Sequence, residues 1–149
     1  LRFPAAVSSI DDLLTGAFKE VLTDKPEIKQ EGVKKILFCS GKIYYDLVDA
    51  RDKKGLSHIA IIRLEQIYPF PESQIKEVLL QYKSATEFCW VQEEPHNQGA
   101  WFFVRDFFQH ILGNREFKYY GRKKSPSPAA GHVKVHMKEQ EAIVKEALS

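Results

Sequence analysis

The stretch KKILFCSGKIYYDLVDARDKKGLSHIAIIRL, residues 34–64, decides the fold because it contains a strand, a helix and a second strand in order. Residues 36–39 form a short, continuous apolar run and residues 59–64 are rich in isoleucine, and both patterns are typical of buried strands. The segment between them carries apolar side chains at helical spacing: Ile43, Tyr44, Leu47 and Val48. We therefore expect a helix that begins near Lys42 and ends at Gly55.

The same alternation of strands and helices continues to the end of the chain. Further strands are predicted at residues 87–92 and 117–120. Apolar residues at helical spacing predict helices over 75–82, 101–112 and 135–148. Such an order predicts an α/β fold of three layers, a mostly parallel sheet with helices on both faces, in which ligands gather beyond the carboxyl ends of the strands.

An N-terminal helix and a polar linker are predicted to precede this α/β domain. Ser9 suits the N-cap of a helix whose apolar residues would be the following: Ile10, Leu13, Leu14, Ala17, Phe18 and Val21. Residues 23–32, TDKPEIKQEG, are polar with proline and glycine, as in a linker. The chain is thus divided into 1–32, a helix and linker from a preceding domain, and 33–149, the α/β domain.

The composition is that of one globular domain. Of the 149 residues, 44% are hydrophobic and 28% charged, which is enough to bury a core. No apolar run approaches the ~20 residues of a membrane span. The chain does not begin with Met and has no secretory signal, so we expect it to be part of a longer protein. Cys39 and Cys89 lie in strand-like runs, which favours buried, reduced thiols in a reducing compartment.

The net charge of +2 is unevenly distributed. Residues 114–138 contain seven Lys and Arg against the single acid Glu116, so this segment is +6 and the remainder is −4. Two interpretations stay open: a solvated face beside a loop, or a docking patch at Arg122, Lys123 and Lys124 for an acidic partner. One short basic cluster without a groove-reading motif argues against nucleic-acid binding.

The candidates for chemistry are weak when they are judged by spacing. Ser40-Gly41-Lys42 has one glycine, which favours a tight turn over a phosphate-binding loop. Glu93 and Glu94 are adjacent on an extended segment, so at most one faces a given cleft, and His96 has no nucleophile nearby. His132 and His136 have no third ligand, which argues against a metal site.

The helix predicted over 101–112 has more aromatic residues than one buried stripe requires. Phe102 and Phe103 cannot both point in the same buried direction. Either this helix is sandwiched within the domain, or one of its sides packs on a partner chain.

Three motifs in order resemble one family. They are RLEQIYPFP at 63–71, QEEPHNQGAW at 92–101 and YYGRKKSPSPAAG at 119–131. The segments AAVSSIDDL, CSGKIYYDL and HVKVHMKEQ agree with them, so the likeness covers nearly the whole chain. The chain resembles the C-terminal domain of the first, decarboxylating component of 2-oxoglutarate dehydrogenase, especially bacterial members.

The resemblance implies a fold like the C-terminal domain of transketolase-type enzymes, with an antiparallel edge strand. It implies a longer parent that binds thiamine diphosphate and magnesium upstream, forms a homodimer and passes succinyl to the lipoyl group of a succinyltransferase component. No catalytic, cofactor or metal residue of this chain is assigned, and its role would be accessory and dimer-supporting. The bacterial cytoplasm is the expected location, with the mitochondrial matrix and a 2-oxoadipate dehydrogenase as alternatives.

The resemblance also suggests two kinds of contact residue. Actinobacterial members bind acetyl-CoA on this domain, where Gln66 matches a nucleotide contact, and Arg63 and Lys19 would be its neighbours. The basic and polar residues of that site are replaced here by Ser73, Gln74, Ala17 and Glu20. We therefore expect weaker or different binding. Contacts to a partner or to other domains are expected at the following residues: Glu93, Glu94, Asn97, Gln98, Trp101, Arg122, Lys123 and Lys124.

Overall fold

Strand β2 (Lys35–Cys39) is the centre of the sheet, and all five of its residues are buried. In the computed structural model, which describes residues 6–7, 10–14, 16–25 and 28–149, β2 pairs in parallel with β3 (Ile59–Leu64) on one side and β4 (Glu87–Pro95) on the other. Strand β5 (Phe117–Arg122) extends the sheet beyond β4 in parallel. A two-residue strand, β1 (Val21–Leu22), pairs antiparallel with β3, which gives the order β1-β3-β2-β4-β5.

Helices cover both faces of this sheet. One face packs against α2 (Ile43–Lys54) and α5 (Val133–Ala147), around Leu37 and Cys39 of β2. The other packs against α3 (Glu72–Gln81) and α4 (Trp101–Leu112), around Ile36 and Phe38 of the same strand. Alternate side chains of one strand therefore enter two different cores, as the period of two requires. No helix among the described residues is both long and apolar enough to span a membrane.

The predicted fold class is confirmed, as are the four predicted strands and the helices between them. Gly55 ends α2 in the left-handed conformation, at φ 65°, and its amide donates to the carbonyls of Arg51 and Asp52. This geometry is the reason that the helix stops where the sequence predicts.

The predicted first helix is wrong in its extent. A short helix, α1 (Ile10–Leu14), is present, but Ala17 and Phe18 lie exposed outside any helix. Val21 and Leu22 form β1 instead, opposite Leu64 and Arg63 of β3. The carbonyl of Glu20 also accepts hydrogen bonds from the amides of Glu65 and Gln66, so pairing with a distant strand outcompetes the helical spacing. Ser9, the predicted N-cap, lies outside the described residues.

The predicted linker, residues 23–32, is attached to the domain through a buried acid. Asp24 is buried, forms an ion pair with the buried Arg51 and accepts a 2.6 Å hydrogen bond from the amide of Ile61. Next to it, Lys25 forms an exposed ion pair with Asp52 at 3.3 Å. The division between residues 32 and 33 stays a prediction, and strand β1 from the first part belongs to the sheet of the second.

Candidate functional site at the carboxyl edge of the sheet

The loops after β2 and β4 separate at the point where the strand order reverses. β2 and β4 are neighbours, yet the loop after β2 leads to α2 on one face and the loop after β4 leads to α4 on the other. Diverging loops of this kind open a crevice outside the carboxyl ends of the strands, where ligands of open α/β sheets commonly bind. This crevice is therefore the candidate functional site.

Lys42 bridges the crevice. Its ammonium lies 2.9 Å from a carboxylate oxygen of Glu93 and 3.2 Å from one of Asp46. Partial burial alone would lower the pKa of Lys42, but the hydrogen bonds and negative charges of Glu93 and Asp46 outweigh that effect and raise its pKa above the ordinary value. Lys42 is thus a charged bridge and not a neutral base or nucleophile. Gly41 precedes it at φ 71°, and the tight turn predicted here is confirmed.

The two adjacent acids of β4 have different environments. Glu93 is half-buried and paired with Lys42, whereas Glu94 is exposed. The expectation that at most one of them faces the cleft agrees with this arrangement. Since Glu93 is already bound to an ammonium group, the two carboxylates do not form a coupled acid–base pair.

Gln92 organises the turn that follows β4, a role that the sequence did not reveal. Its amide oxygen accepts hydrogen bonds from the indole of Trp90 at 2.9 Å and the backbone amide of Trp101 at 3.1 Å. Its amide nitrogen donates to the carbonyl of Gln98 at 2.7 Å and to that of Pro95 at 3.2 Å. Only 2% of Gln92 is exposed, so one buried amide fixes both ends of the loop that leads into α4.

Asn97 and Gln98 connect this turn to the loop after β5. Both side-chain amides donate to the carbonyl of Ser125 at 3.0 Å, and the amide of Ser125 donates back to the Asn97 side chain at 2.9 Å. The motifs at 92–101 and 119–131 therefore form one structural unit. The two predicted contact residues hold a loop of their own chain.

The basic residues after β5 fall into two groups. Arg122 is mostly buried, lies 2.7 Å from a carboxylate oxygen of Glu139 on α5, and donates to the carbonyl of Pro128 at 3.1 Å. Lys123 and Lys124 are exposed and line a surface cleft of about 580 Å³. Arg122 therefore fastens α5 to the edge of the sheet, while the two lysines present positive charge to the solvent.

His96 lies among aromatic rings beside the turn. Its ring centroid is 4.7 Å from that of Tyr119 and 5.3 Å from that of Phe102. Burial raises the pKa of Tyr119 to about 12, so its hydroxyl stays protonated and donates to the carbonyl of Glu94 at 3.2 Å. Trp101 is buried beneath, with its ring 5.6 Å from that of Phe117. Its predicted contact with a partner stays a prediction, and its ring serves the domain's own core.

The three residues predicted to surround a regulatory nucleotide lie near β1 and the end of β3. The Gln66 side chain donates to the carbonyl of Pro69 at 2.9 Å. Arg63 lies 2.6 Å from a carboxylate oxygen of Glu65, donates to the Tyr45 hydroxyl at 2.9 Å and covers the ring of Tyr44. Lys19 is exposed. Because the guanidinium is already occupied, a phosphate would have to displace Glu65 from it.

The two thiols are buried in the core, as predicted, and are not joined in a disulfide. Burial raises the pKa of Cys89 to about 11 and that of Cys39 further, so both are inert, protonated thiols. Within the described ranges, no three His, Cys, Asp or Glu side chains are grouped so that they could hold a metal ion.

The fold and its edge together define a class: an α/β domain of the transketolase C-terminal type, whose polar edge groups hold its own loops together. The family described as 2-oxoglutarate dehydrogenase C-terminal matches residues 7–148. The chain belongs to this family.

Several curated relatives are similar over the whole chain. The 2-oxoglutarate dehydrogenase E1 component of Haemophilus influenzae is 43% identical over 100% of the chain, and that of Cupriavidus necator is 42% identical over the same share. The E1 component of Azotobacter vinelandii is 37% identical, again over 100% of the chain. The chain spans 16% of the length of each of these relatives.

Proposed function

We propose that this chain is the accessory C-terminal domain of a 2-oxoglutarate dehydrogenase E1 component and supports the enzyme's assembly without performing its chemistry. The family match over residues 7–148 supports this assignment. The observation that carries the accessory role is the bridge of Lys42 to Glu93 and Asp46, which occupies the crevice where a ligand would otherwise bind. The parent would decarboxylate 2-oxoglutarate oxidatively and pass succinyl to a lipoyl group.

The crevice does not suit thiamine diphosphate and magnesium, the cofactors proposed for the parent. The ammonium group of Lys42, which faces it, is neutralised by two carboxylates, and these would repel a diphosphate. A magnesium ion bound to a diphosphate needs further oxygen ligands, and the described residues group no three potential metal ligands. Both cofactors would therefore be bound by the upstream part of the parent.

Deletion of the domain from a full-length parent tests the proposal. We expect removal of residues 33–149 to abolish 2-oxoglutarate decarboxylation and to weaken the proposed homodimer, as measured by reduction of an artificial electron acceptor and by sedimentation velocity. The 149-residue chain alone should give no turnover. Measurable turnover by this chain, or a fully active dimer without the domain, would contradict the proposal.

The remaining partners and the location are proposals of the same kind. The upstream domains of the same chain and the lipoyl-bearing succinyltransferase component are the proposed partners, and the bacterial cytoplasm is the proposed location. A regulatory nucleotide at Gln66, Arg63 and Lys19 stays a separate proposal. Calorimetry with AMP and acetyl-CoA tests it, and the absence of heat at millimolar ligand would refute it.

A further inference from the structure

A row of aromatic rings crosses the surface from the loop after β3 to α4. We call Tyr68, Phe103, Phe107 and Phe70 the aromatic row. The ring centroids of Tyr68 and Phe103 are 6.2 Å apart, those of Phe103 and Phe107 are 5.2 Å apart, and those of Phe107 and Phe70 are 4.5 Å apart. From Phe70 towards Tyr68 the rings become more exposed, and the exposed fraction reaches 38% for Phe103 and 80% for Tyr68. The contacts make this one continuous apolar surface.

The outer end of the aromatic row, Tyr68 and Phe103, is exposed and lies outside the described core of this domain. The core on this face is filled by other positions of α4, among them Val104 and Phe108, which are fully buried. Phe70 packs against that core, but Tyr68 and Phe103 do not. Connected aromatic rings that are exposed without a role in the domain's own packing are typical of a surface that another part of the protein covers.

The chain enters the sheet at the same corner. The carbonyl of Glu20 accepts hydrogen bonds from the amides of Glu65 and Gln66, at 2.9 and 3.2 Å, so the segment before β1 reaches the loop that presents Tyr68. That segment also carries large apolar side chains in exposed positions. They are Ile10, Leu14 and Phe18, with 73%, 75% and 67% of their surface exposed. The segment before β1 therefore lies beside the loop that carries Tyr68, at the exposed end of the aromatic row.

The relatives supply the candidate for that covering surface. This chain spans 16% of their length, and the family description places the matching part at the C-terminus, so about five-sixths of a full-length member precedes it. We propose that the aromatic row is the surface on which the preceding part of the same polypeptide packs. This inference rests on the proposed function, because it takes the chain to be the C-terminal domain of such a protein.

Photo-cross-linking in the full-length protein tests the inference. p-Benzoylphenylalanine would be placed at Phe103 and, in a matched variant, at Leu80, which is 67% exposed on α3 and outside the aromatic row. We expect position 103 to cross-link to peptides from the preceding part of the same chain and position 80 to give no such product. A covalent dimer from position 103, which would mean a second copy, or no product there at all, would overturn the inference.

A second measurement does not depend on cross-linking. The double variant Tyr68→Ser/Phe103→Ser should make residues 10–19 of the full-length protein roughly tenfold more susceptible to protease, since loss of even one buried aromatic contact shifts a packing equilibrium by that order. Leu80→Ser should leave the cleavage rate unchanged. Equal rates in all variants would count against the inference. Neither measurement uses turnover, so the two proposals can fail separately. If the aromatic row is packed as proposed but activity survives deletion of the domain, the proposed function is refuted and this inference stands.

Discussion

At the scale of single residues, the carboxyl edge is organised by polar groups that satisfy one another. Gln92 makes five hydrogen bonds with backbone and indole groups within ten residues of itself, and so it acts as an internal template for the turn. Lys42 does the same between elements, because it links the start of α2 to the end of β4. Such groups define one loop conformation, and removal of the partners of the buried Gln92 is costly because its polar atoms cannot be solvated.

Replacement of Gln92 should therefore be strongly destabilising. We expect Gln92→Ala to reduce the free energy of unfolding by about 3 kcal/mol, because it leaves the Trp90 indole and the Trp101 amide buried without an acceptor. Urea denaturation of both proteins measures the difference. Gln109→Ala, at an exposed position of α4, is the matched control and should change stability by less than about 0.5 kcal/mol. Equal effects of the two variants would show that the hydrogen bonds of Gln92 are not the cause.

The buried thiols predict a difference between the folded and unfolded chain. Because burial raises the pKa of Cys89 to about 11, we expect neither Cys89 nor Cys39 to react with iodoacetamide at pH 8 in the native state, whereas both should react in urea. A raised pKa favours the native state below the ordinary thiol pKa, and this stabilisation is lost as the pH rises through the native value. Mass spectrometry counts the labelled thiols, and rapid labelling of the native protein would contradict the assignment.

At the scale of elements, local patterns predicted the parts of the fold that are locally determined. The buried strands β2 and β3 and the cap at Gly55 need no information from distant residues. The segment before Val21 behaved differently, because its helical spacing competed with pairing to Leu64, more than 40 residues away, and that pairing is invisible in a local pattern. The crevice was predictable as a place, since parallel strands end at one edge. The ion pairs and hydrogen bonds in the crevice could not be predicted, because they depend on residues that are close only in three dimensions.

Substitutions at two glycines distinguish the cost of a left-handed backbone from the cost of a steric clash. Both Gly99 and Gly55 have positive φ, but a Cβ at Gly99 would lie 2.9 Å from the amide nitrogen of Gln92, whereas a Cβ at Gly55 would meet open space. We expect Gly55→Ala to cost about 1 kcal/mol from the left-handed backbone alone. Gly99→Ala should cost about 2 kcal/mol more, since Gln92 is fixed and cannot move aside freely. Thermal unfolding monitored by circular dichroism gives both values, and equal losses would exclude the conflict with Gln92.

At the scale of the whole molecule, the charge is arranged so that only part of the basic segment is available to a partner. Arg122 is occupied by Glu139, and Gln140 of the same helix donates to Asp46 of α2 at 2.8 Å, so polar contacts fix α5 both to the edge of the sheet and to α2. Lys123 and Lys124 remain exposed beside the cleft. Neither interpretation of the basic segment applies to Arg122, which is mostly buried and structural, whereas the adjacent exposed lysines remain the candidate docking patch.

The candidate docking patch can be tested through the dependence of partner binding on salt concentration. If the two lysines attract an acidic partner domain, the double variant Lys123→Ala/Lys124→Ala should weaken binding of the full-length protein to the proposed succinyltransferase component and reduce the dependence of that binding on salt concentration. Lys53→Ala/Lys54→Ala, two adjacent exposed lysines of α2, is the control. Surface plasmon resonance across a salt series measures both. Binding that does not change with salt would reject the docking interpretation.

The ion pair between Asp24 and Arg51 protects the part of β3 that β1 does not cover. That strand covers β3 only at Leu64 and Arg63, which leaves the backbone of the isoleucine-rich start of β3 facing outward. Asp24 accepts the Ile61 amide and Arg51 donates to the Ile59 carbonyl at 3.3 Å, so two buried charges occupy the groups that a foreign strand would need. The pair is thereby a guard against intermolecular sheet growth, because an uncovered row of backbone groups beside apolar residues is a template for aggregation.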